Sequence, residues 1–417
     1  MRTTTTMKPE ATTRDETGPQ AATELVTALL GDPEIQADPY AAYRRMHAFG
    51  PAVTGPGGEL VIIGYRLANA AVRDARLTKQ VGQMLERMGY TDWRSRPSLR
   101  LFFTSLGHLN PPEHTRLRRV VSGAFTARRV AALRPAVERI VADALDRLSG
   151  GCCFVDEFAY PVPVTVIGEL LGIPRADRPM FQTLVRDWTG VVNAQDPTTV
   201  DKADAAAVVI RDYLDDLAAQ RRARPLDDLM SALVVPADGD SGLSAEEVTT
   251  MAGLLWAAGF ETTTGLLSNG LVALLDNPDQ ADRLRTEPWL AESAVEELVR
   301  FDAPLQFLFA RTAEEDMVVA GQPIAAGQRT MLVLGAANRD PGVFDEPDRL
   351  LLDRSGEPPM SFGGGMHYCL GAPLARLEAQ IAFPALLRAF PKLSTTSPGT
   401  RRPGLALHGY IRLPIST

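Results

Sequence analysis

One cysteine of this 417-residue chain stands where a thiol can be made to do chemistry. Cys369 follows the glycine-rich run SFGGGMHY and precedes the apolar, helix-forming stretch LGAPLARLEAQ. Free backbone N–H groups and the helix dipole favour a thiolate at such a terminus. Gly363, Gly364 and Gly365 allow the backbone to approach something flat and close, and Gly371 does the same on the far side. Alone, these residues also allow a buried thiol acting as a small hydrophobe, or a nucleophile with His367 as its base. A structural zinc site needs about four clustered ligands, which Cys152, Cys153 and Cys369 do not supply. A second group is AGFETTT, where Glu261 and Thr262 interrupt an apolar stretch. Thr262 can bond back to a carbonyl one turn earlier and loosen the helix, while Gly259 removes a side chain where a ligand would need room. A surface acid beside helix-tolerant threonines is the plainer reading. In PPEHTRLRR, His114 and Arg118 are i, i+4 neighbours and offer two donors to an anion, or else form a solvated basic face. Glu297 and Arg300 share a helix face at i, i+3, the spacing of an ordinary salt bridge.

These residues need elements to position them. Pro51 to Tyr65 reads as a hairpin turning at GPGG. From about Leu67 to Leu233 the pattern is mostly helical, and a polar loop is expected over 237–242. Ser244 and Glu247 have capping-box spacing and open a long helix that Asn277-Pro278 ends. At ~1.5 Å per residue it runs on the order of 50 Å, enough to cross the molecule. Short strands are expected at MVVAG and QRTMLVL, an irregular stretch from Asn338 to Gly365, a helix from about Gly371 to Phe390, and a terminal hairpin around LALHGYIRL. Few strands and much helix make a doubly wound sheet unsuited, and no G-x-G-x-x-G or P-loop pattern is present.

The run from Phe362 to Gly371, FGGGMHYCLG, resembles the heme-binding loop of the cytochrome P-450 family, F-x-x-G-x-[HR]-x-C-x-G, at every fixed position. AGFETT resembles the family's [AG]-G-x-[DE]-T-[TS], EELVR its E-x-x-R, and PPEHTRLR the P-P-E-H-x-x-L-R helix of bacterial members. The four occur in the family's order, and the resemblance covers about Asp38 to Leu413. It implies a mainly α fold with small β-sheets and a long central helix beside a heme. It also implies an axial thiolate from Cys369, which pushes electron density to iron, with Phe362 packed beside the sulfur and Gly371 and Ala258 against the heme. His114 and Arg118 on one side, and Arg311 and His367 on the other, would hold its propionates. Glu261 and Thr262 would deliver protons. Glu297, Arg300 and Arg349 would form a structural triad. The implied reaction reduces O₂ and inserts one oxygen atom into an organic substrate, and the cofactor does the hard chemistry. The family's topology makes Met84, Met88, Trp93, Phe102, Leu255, Leu305, Gln306, Phe307 and Leu407 candidate substrate contacts. These are mostly apolar, which favours a polyketide- or macrolide-like natural product over a terpenoid, steroid, fatty acid or aromatic.

Composition fits this reading. The net charge of −8 argues against a broad nucleic-acid surface. Three cysteines, two of them adjacent, suggest no disulfide framework and a reducing cytoplasm. No signal peptide or membrane span is legible. Length alone suggests two or three domains, but motifs converging on one heme favour a single domain over 36–417 behind a tail over 1–35. No flavin or iron–sulfur pattern is visible. The resemblance therefore implies a separate ferredoxin and ferredoxin reductase. Arg116, Arg119 and Arg376 are candidates for a basic docking patch, or else ordinary solvated arginines, and a monomer is expected.

Overall fold

The computed structural model describes residues 18–148, 150–192, 197–235 and 242–417. Helix dominates, and the strands are short and gathered into small sheets. The expected polar loop over 237–242 lies almost wholly outside the described residues, as do positions 1–17 of the expected tail. The rest of that tail is ordered. A helix runs over Pro19–Gly31 with Ala22, Leu25, Val26 and Leu29 buried. Their spacing is that of an amphipathic helix, and they share a core with Tyr43, Met46, Val53 and Val61.

The long helix spans Ala245–Leu275. The Ser244 hydroxyl accepts from the Glu247 N–H, and the Glu247 carboxylate accepts from the Ser244 N–H, which is the expected capping box. Pro278 opens the next helix, Pro278–Thr286, at its first turn. The long helix is buried nearly all round because the helices Pro161–Leu171, Pro197–Ala223, Ala291–Phe301 and Ala372–Ala389 pack against it. Two glycines set how near they come. A Cβ on Gly270 would lie 2.4 Å from the Phe383 ring, and one on Gly259 would lie 3.0 Å from Ile167. Gly259 therefore serves helix packing, and does not make the ligand space expected of it.

The main sheet has the strand order Ala52–Thr54, Leu60–Ile62, Arg329–Val333, Phe307–Ala313, Leu77–Thr78. The first two strands form the expected hairpin, with Val53 opposite Val61. Leu60–Ile62 then joins Arg329–Val333 in parallel. A bulge between Leu308 and Arg311 breaks the ladder beside the candidate site; such bulges re-aim side chains. The expected hairpin around LALHGYIRL is formed, with Tyr410–Arg412 antiparallel to Thr400–Arg401. Leu405 to His408, in the connection between them, lies along the segment after Pro304, with Gln306 N–H donating to Ala406 and His408 N–H to Pro304. That pairing spans about a hundred residues of chain, so no local pattern announces it.

Candidate active site

The Cys369 loop is built from two 3₁₀ turns, Met360–Phe362 and Gly365–His367, closed by the Cys369 N–H donating to the Phe362 carbonyl at 2.9 Å. Gly363 has φ 70° and ψ −148°, a conformation open essentially to glycine. Gly364 and Gly365 are needed on the other side. A Cβ on either would meet Val72, at 2.6 Å from Cγ1 and 2.7 Å from the carbonyl oxygen respectively. These two glycines thus seat the loop on the end of the helix Tyr65–Ala71, and do not themselves face a flat ligand. Gly371 leaves room directly beside the sulfur, where an added Cβ would sit 3.9 Å from Sγ. The Arg376 guanidinium stacks over the Phe362 ring at 4.3 Å.

Cys369 is half-buried. Burial pushes its thiol up, opposed by the backbone amides of Gly371 and Ala372 and by the charges of Arg118 and Arg376. A thiol in this state becomes a thiolate when a metal cation meets it. Burial, with Lys79 and His114 beside it, pushes the His367 imidazole down to about 2.

The decisive feature is a wall of basic side chains, some of whose buried nitrogens have no partner among the described residues. His114 is buried and its Nε2 has no partner. Its ring lies 4.3 Å from that of His367, and burial with Arg118, Lys79 and Arg311 pushes it down to about 4. Arg311 is buried with Nε unpartnered, while Nη1 donates to the Val72 carbonyl at 3.0 Å. Burial draws it down to about 10. Arg118 is lowered by burial, against the pull of Cys369. The sequence reading missed Lys79, which donates to the Gly107 carbonyl and which burial and Arg311 push down to about 7. It also missed His108, buried beside Lys79 and lowered in the same way. Buried cations persist when an anion answers them. Two carboxylates facing this wall, on a flat group ligated by Cys369, would satisfy the orphaned His114 and Arg311 nitrogens. A heme with its propionates has that shape and charge.

The central helix supplies the opposite wall. Amid buried neighbours, Ala258 is exposed and Leu254 and Thr262 are partly so. One turn apart, these three form an accessible strip along one face of the helix. Leu255, expected to touch substrate, is buried in the main core. Leu254 takes its place on the strip. Thr262 Oγ1 donates to the Ala258 carbonyl at 2.9 Å, the back-bond expected of it. Glu261 lies about 100° round the helix from Thr262. It is paired with Arg402 and accepts from Thr189 Oγ1 at 3.4 Å.

Other expected contacts divide. Phe102 packs its ring 4.8 Å from that of His108, and Met84 is half-buried nearby. Leu407 bridges to Leu305 and lines a cavity beside Glu261. Trp93 is buried in a satellite core with Leu85, Leu99 and Phe103, and Met88 is largely exposed. Phe307 packs towards the core of the N-terminal helix. Gln306 is fully buried and its amide is spent. Tyr43 Oη donates to its Oε1 at 2.9 Å, and its Nε2 donates to Ala303 and Tyr40. It fastens the fold and does not contact substrate.

The expected triad has two right members and one wrong one. Arg300 forks onto Glu297 with Nε–Oε2 at 2.6 Å and Nη2–Oε1 at 2.8 Å, both side chains being buried. The third guanidinium is that of Arg354, whose Nε lies 3.0 Å from Glu297 Oε2. Arg349 points outward to Glu346 and lends only its carbonyl, to Arg300 and Arg354.

A mainly helical fold, a buried cysteine under an anion-seeking wall and a hydroxyl-bearing helix opposite define a heme-thiolate enzyme. Comparison with known proteins agrees. Residues 178–288 and 289–407 match the family model described as Cytochrome P450. The cytochrome P450 monooxygenase PikC of Streptomyces venezuelae is 39% identical over 400 residues, covering 92% of each chain. The 6-deoxyerythronolide B hydroxylase of Saccharopolyspora erythraea is 39% identical over 367 residues, 85% of this chain and 89% of its own. The tirandamycin C-bound P450 monooxygenase TamI superposes with a TM-score of 0.81 at 35% identity, covering 92% of this chain and 98% of that one. The chain belongs to the cytochrome P450 family and is a monooxygenase that uses heme with an axial cysteine thiolate. As the family's fold implies, it takes a small-molecule substrate and electrons from redox partners. Among the described residues no helix is long and apolar enough to cross a membrane.

Proposed function

We propose that this enzyme hydroxylates or epoxidises an apolar polyketide- or macrolide-like natural product in secondary metabolism. The observation that carries this reading is its 39% identity to a hydroxylase of 6-deoxyerythronolide B over most of both chains. The open strip of Leu254, Ala258 and Thr262, with Phe102 and Met84 available across from it, suits a large apolar ligand. Bound heme supplies O₂ activation and oxygen-atom transfer. The residues of the chain do the rest. Cys369 ligates the iron, and Phe362 and Arg376 pack behind the loop. His114, Arg118, Arg311 and His367, joined by Lys79, orient the cofactor through its propionates. Glu261 and Thr262 hold and pass the protons that O₂ reduction consumes.

Electrons come from a separate ferredoxin and its reductase, the chain acting as a monomer in the cytoplasm, where its cysteines stay reduced. Residues from Pro19 onward form one domain, a helix longer than a boundary at 36 allows. The expected docking cations need revision, since Arg116 is paired with Glu247 and Arg376 with Glu296. A panel of 6-deoxyerythronolide B, a steroid, a fatty acid and an aromatic acid, read by the heme spin-state shift and by product mass, tests the substrate class. The macrolactone is expected to shift the spectrum most and to gain one oxygen atom. A shift and product with the steroid or fatty acid alone would overturn it.

A further inference from the structure

Near the chain end one basic side chain is buried against one carboxylate. His408 is 2% exposed, and its Nε2 lies 3.3 Å from Asp302 Oδ1. Asp302 closes the helix Ala291–Phe301, just ahead of Leu305. The same carboxylate accepts from Tyr40 Oη at 2.8 Å and from Arg401 Nη2 at 3.1 Å. Burial would raise this carboxyl, but His408, Arg401 and Tyr40 hold it well below the usual carboxylate range. Asn269 of the central helix completes the hub. Its amide donates to the His408 carbonyl at 3.1 Å and to the Asp302 carbonyl at 3.3 Å, and its Oδ1 accepts from Arg401 Nη1 at 2.9 Å. The Tyr40 ring meets the His408 ring edge-on at 6.4 Å.

What this hub holds is the residue next to His408. Leu407 makes a single antiparallel bridge with Leu305. Gln306 N–H donating to Ala406 at 3.0 Å and His408 N–H donating to Pro304 at 2.8 Å flank it, so the ladder is very short. Ala406 and His408 are buried on either side, whereas Leu407 and Leu305 are only half-buried. The segment abuts the central helix at Gly265, where a Cβ would lie 3.0 Å from the His408 carbonyl oxygen. Gly265 is about 60° round that helix from Thr262. Leu407 and Leu305 are thereby brought to the edge of the accessible strip of Leu254, Ala258 and Thr262.

We infer that His408 is a positioning residue for the substrate pocket: its contact with Asp302 fixes the segment that presents Leu407, and so sets the width of the pocket at that strip. Taking a partner from a buried carboxylate is unfavourable, so the contact restrains the backbone that carries the ring. Asp302 does not yield in turn, because Tyr40 pins it from one end of the chain and Arg401 from the other. The inference rests on Leu407 being a substrate contact, and it holds whichever natural product the enzyme oxidises.

The test titrates ferric holoenzyme with imidazole and with the bulky azole clotrimazole, both of which coordinate heme iron, and reads each affinity from the shift of the heme band. Wild type, Leu407→Ala, His408→Ala, His408→Gln and Asp302→Asn are compared, together with the urea unfolding midpoint of each. Leu407→Ala, His408→Ala and Asp302→Asn are each expected to weaken clotrimazole several-fold and leave imidazole unchanged. His408→Gln, whose amide can donate to Asp302, should restore most of the loss. If Leu407→Ala weakens clotrimazole while His408→Ala and Asp302→Asn match wild type, the clasp is wrong and Leu407 remains a contact. If Leu407→Ala leaves both azoles at wild-type affinity, Leu407 is no contact and the inference falls, whatever the panel of substrate classes shows. If His408→Ala lowers the midpoint and weakens both azoles alike, His408 serves the fold alone and the inference is overturned. If His408→Ala does not fold, Asp302→Asn decides, and a wild-type ratio of the two affinities overturns the inference.

Discussion

Cys369 gains little from its own surroundings towards ionisation, because burial works against the amides and arginines that favour the thiolate. Cys369→Ala is therefore expected to remove the thiolate signature altogether. The reduced carbon-monoxide complex should lose its long-wavelength band, and a wild-type band would contradict the ligand assignment. Thr262→Ala removes the hydroxyl that bonds back to Ala258, and peroxide release per O₂ should rise several-fold while heme content stays unchanged. The Glu297 cluster gives a sharper contrast. Arg354→Ala leaves a buried carboxylate short of one cation and should cost ~3 kcal/mol, whereas Arg349→Ala, at an exposed pair, should cost far less. Denaturant unfolding of the two variants measures this, and equal losses would restore Arg349 to the triad. Cys369, Glu261, Thr262, His114, Arg118 and His367 were proposed from sequence because each lies within a single short motif. Arg354 was not. Two arginines stand five positions apart in an irregular stretch, and only the course of the backbone decides which one turns inward. Lys79 and His108 carry no motif, and their meaning lies in being buried together.

The elements were legible where the pattern was local. The central helix has its cap, its apolar length and its terminal Asn-Pro in sequence, and each is found. Gly259 was misread, because a glycine in a sequence announces closeness without saying to what. Gly270 meets Phe383 and Gly259 meets Ile167. Gly270→Ala would drive a methyl into the Phe383 ring and should cost ~1–3 kcal/mol of overpacking, read as a lower unfolding midpoint with heme content retained. No loss at that site would mean that the two helices can part. The helix Pro19–Gly31 was legible in principle from Ala22, Leu25, Val26 and Leu29. It was obscured by the charged, threonine-rich run before it. The chain-end pairing was beyond local reading, since the partners of Ala406 and His408 lie near Pro304.

At the scale of the molecule, the site joins parts distant in sequence. Lys79 and His108 lie ahead of His114 and Arg118, Arg311 comes from the bulged strand, and His367 and Cys369 come from the loop near the end. Their surplus positive charge predicts that the cofactor's carboxylates matter as much as its iron. Apoprotein titrated with hemin and with hemin dimethyl ester should bind the ester at least about tenfold more weakly, since charge-assisted bonds are lost. Equal affinities would deny the wall its role. The same wall has a consequence for how the protein accumulates in a living cell. Without the dianion, buried nitrogens from remote segments, His114 Nε2 and Arg311 Nε among them, are left without acceptors, so the cofactor acts as a clasp closing the chain on itself. Ligand at a thousand times its dissociation constant stabilises a fold by about 4 kcal/mol, a sizeable part of what holds most domains together. The yield of this enzyme in any host should then follow porphyrin supply, with starved cells degrading the chain before it can be used.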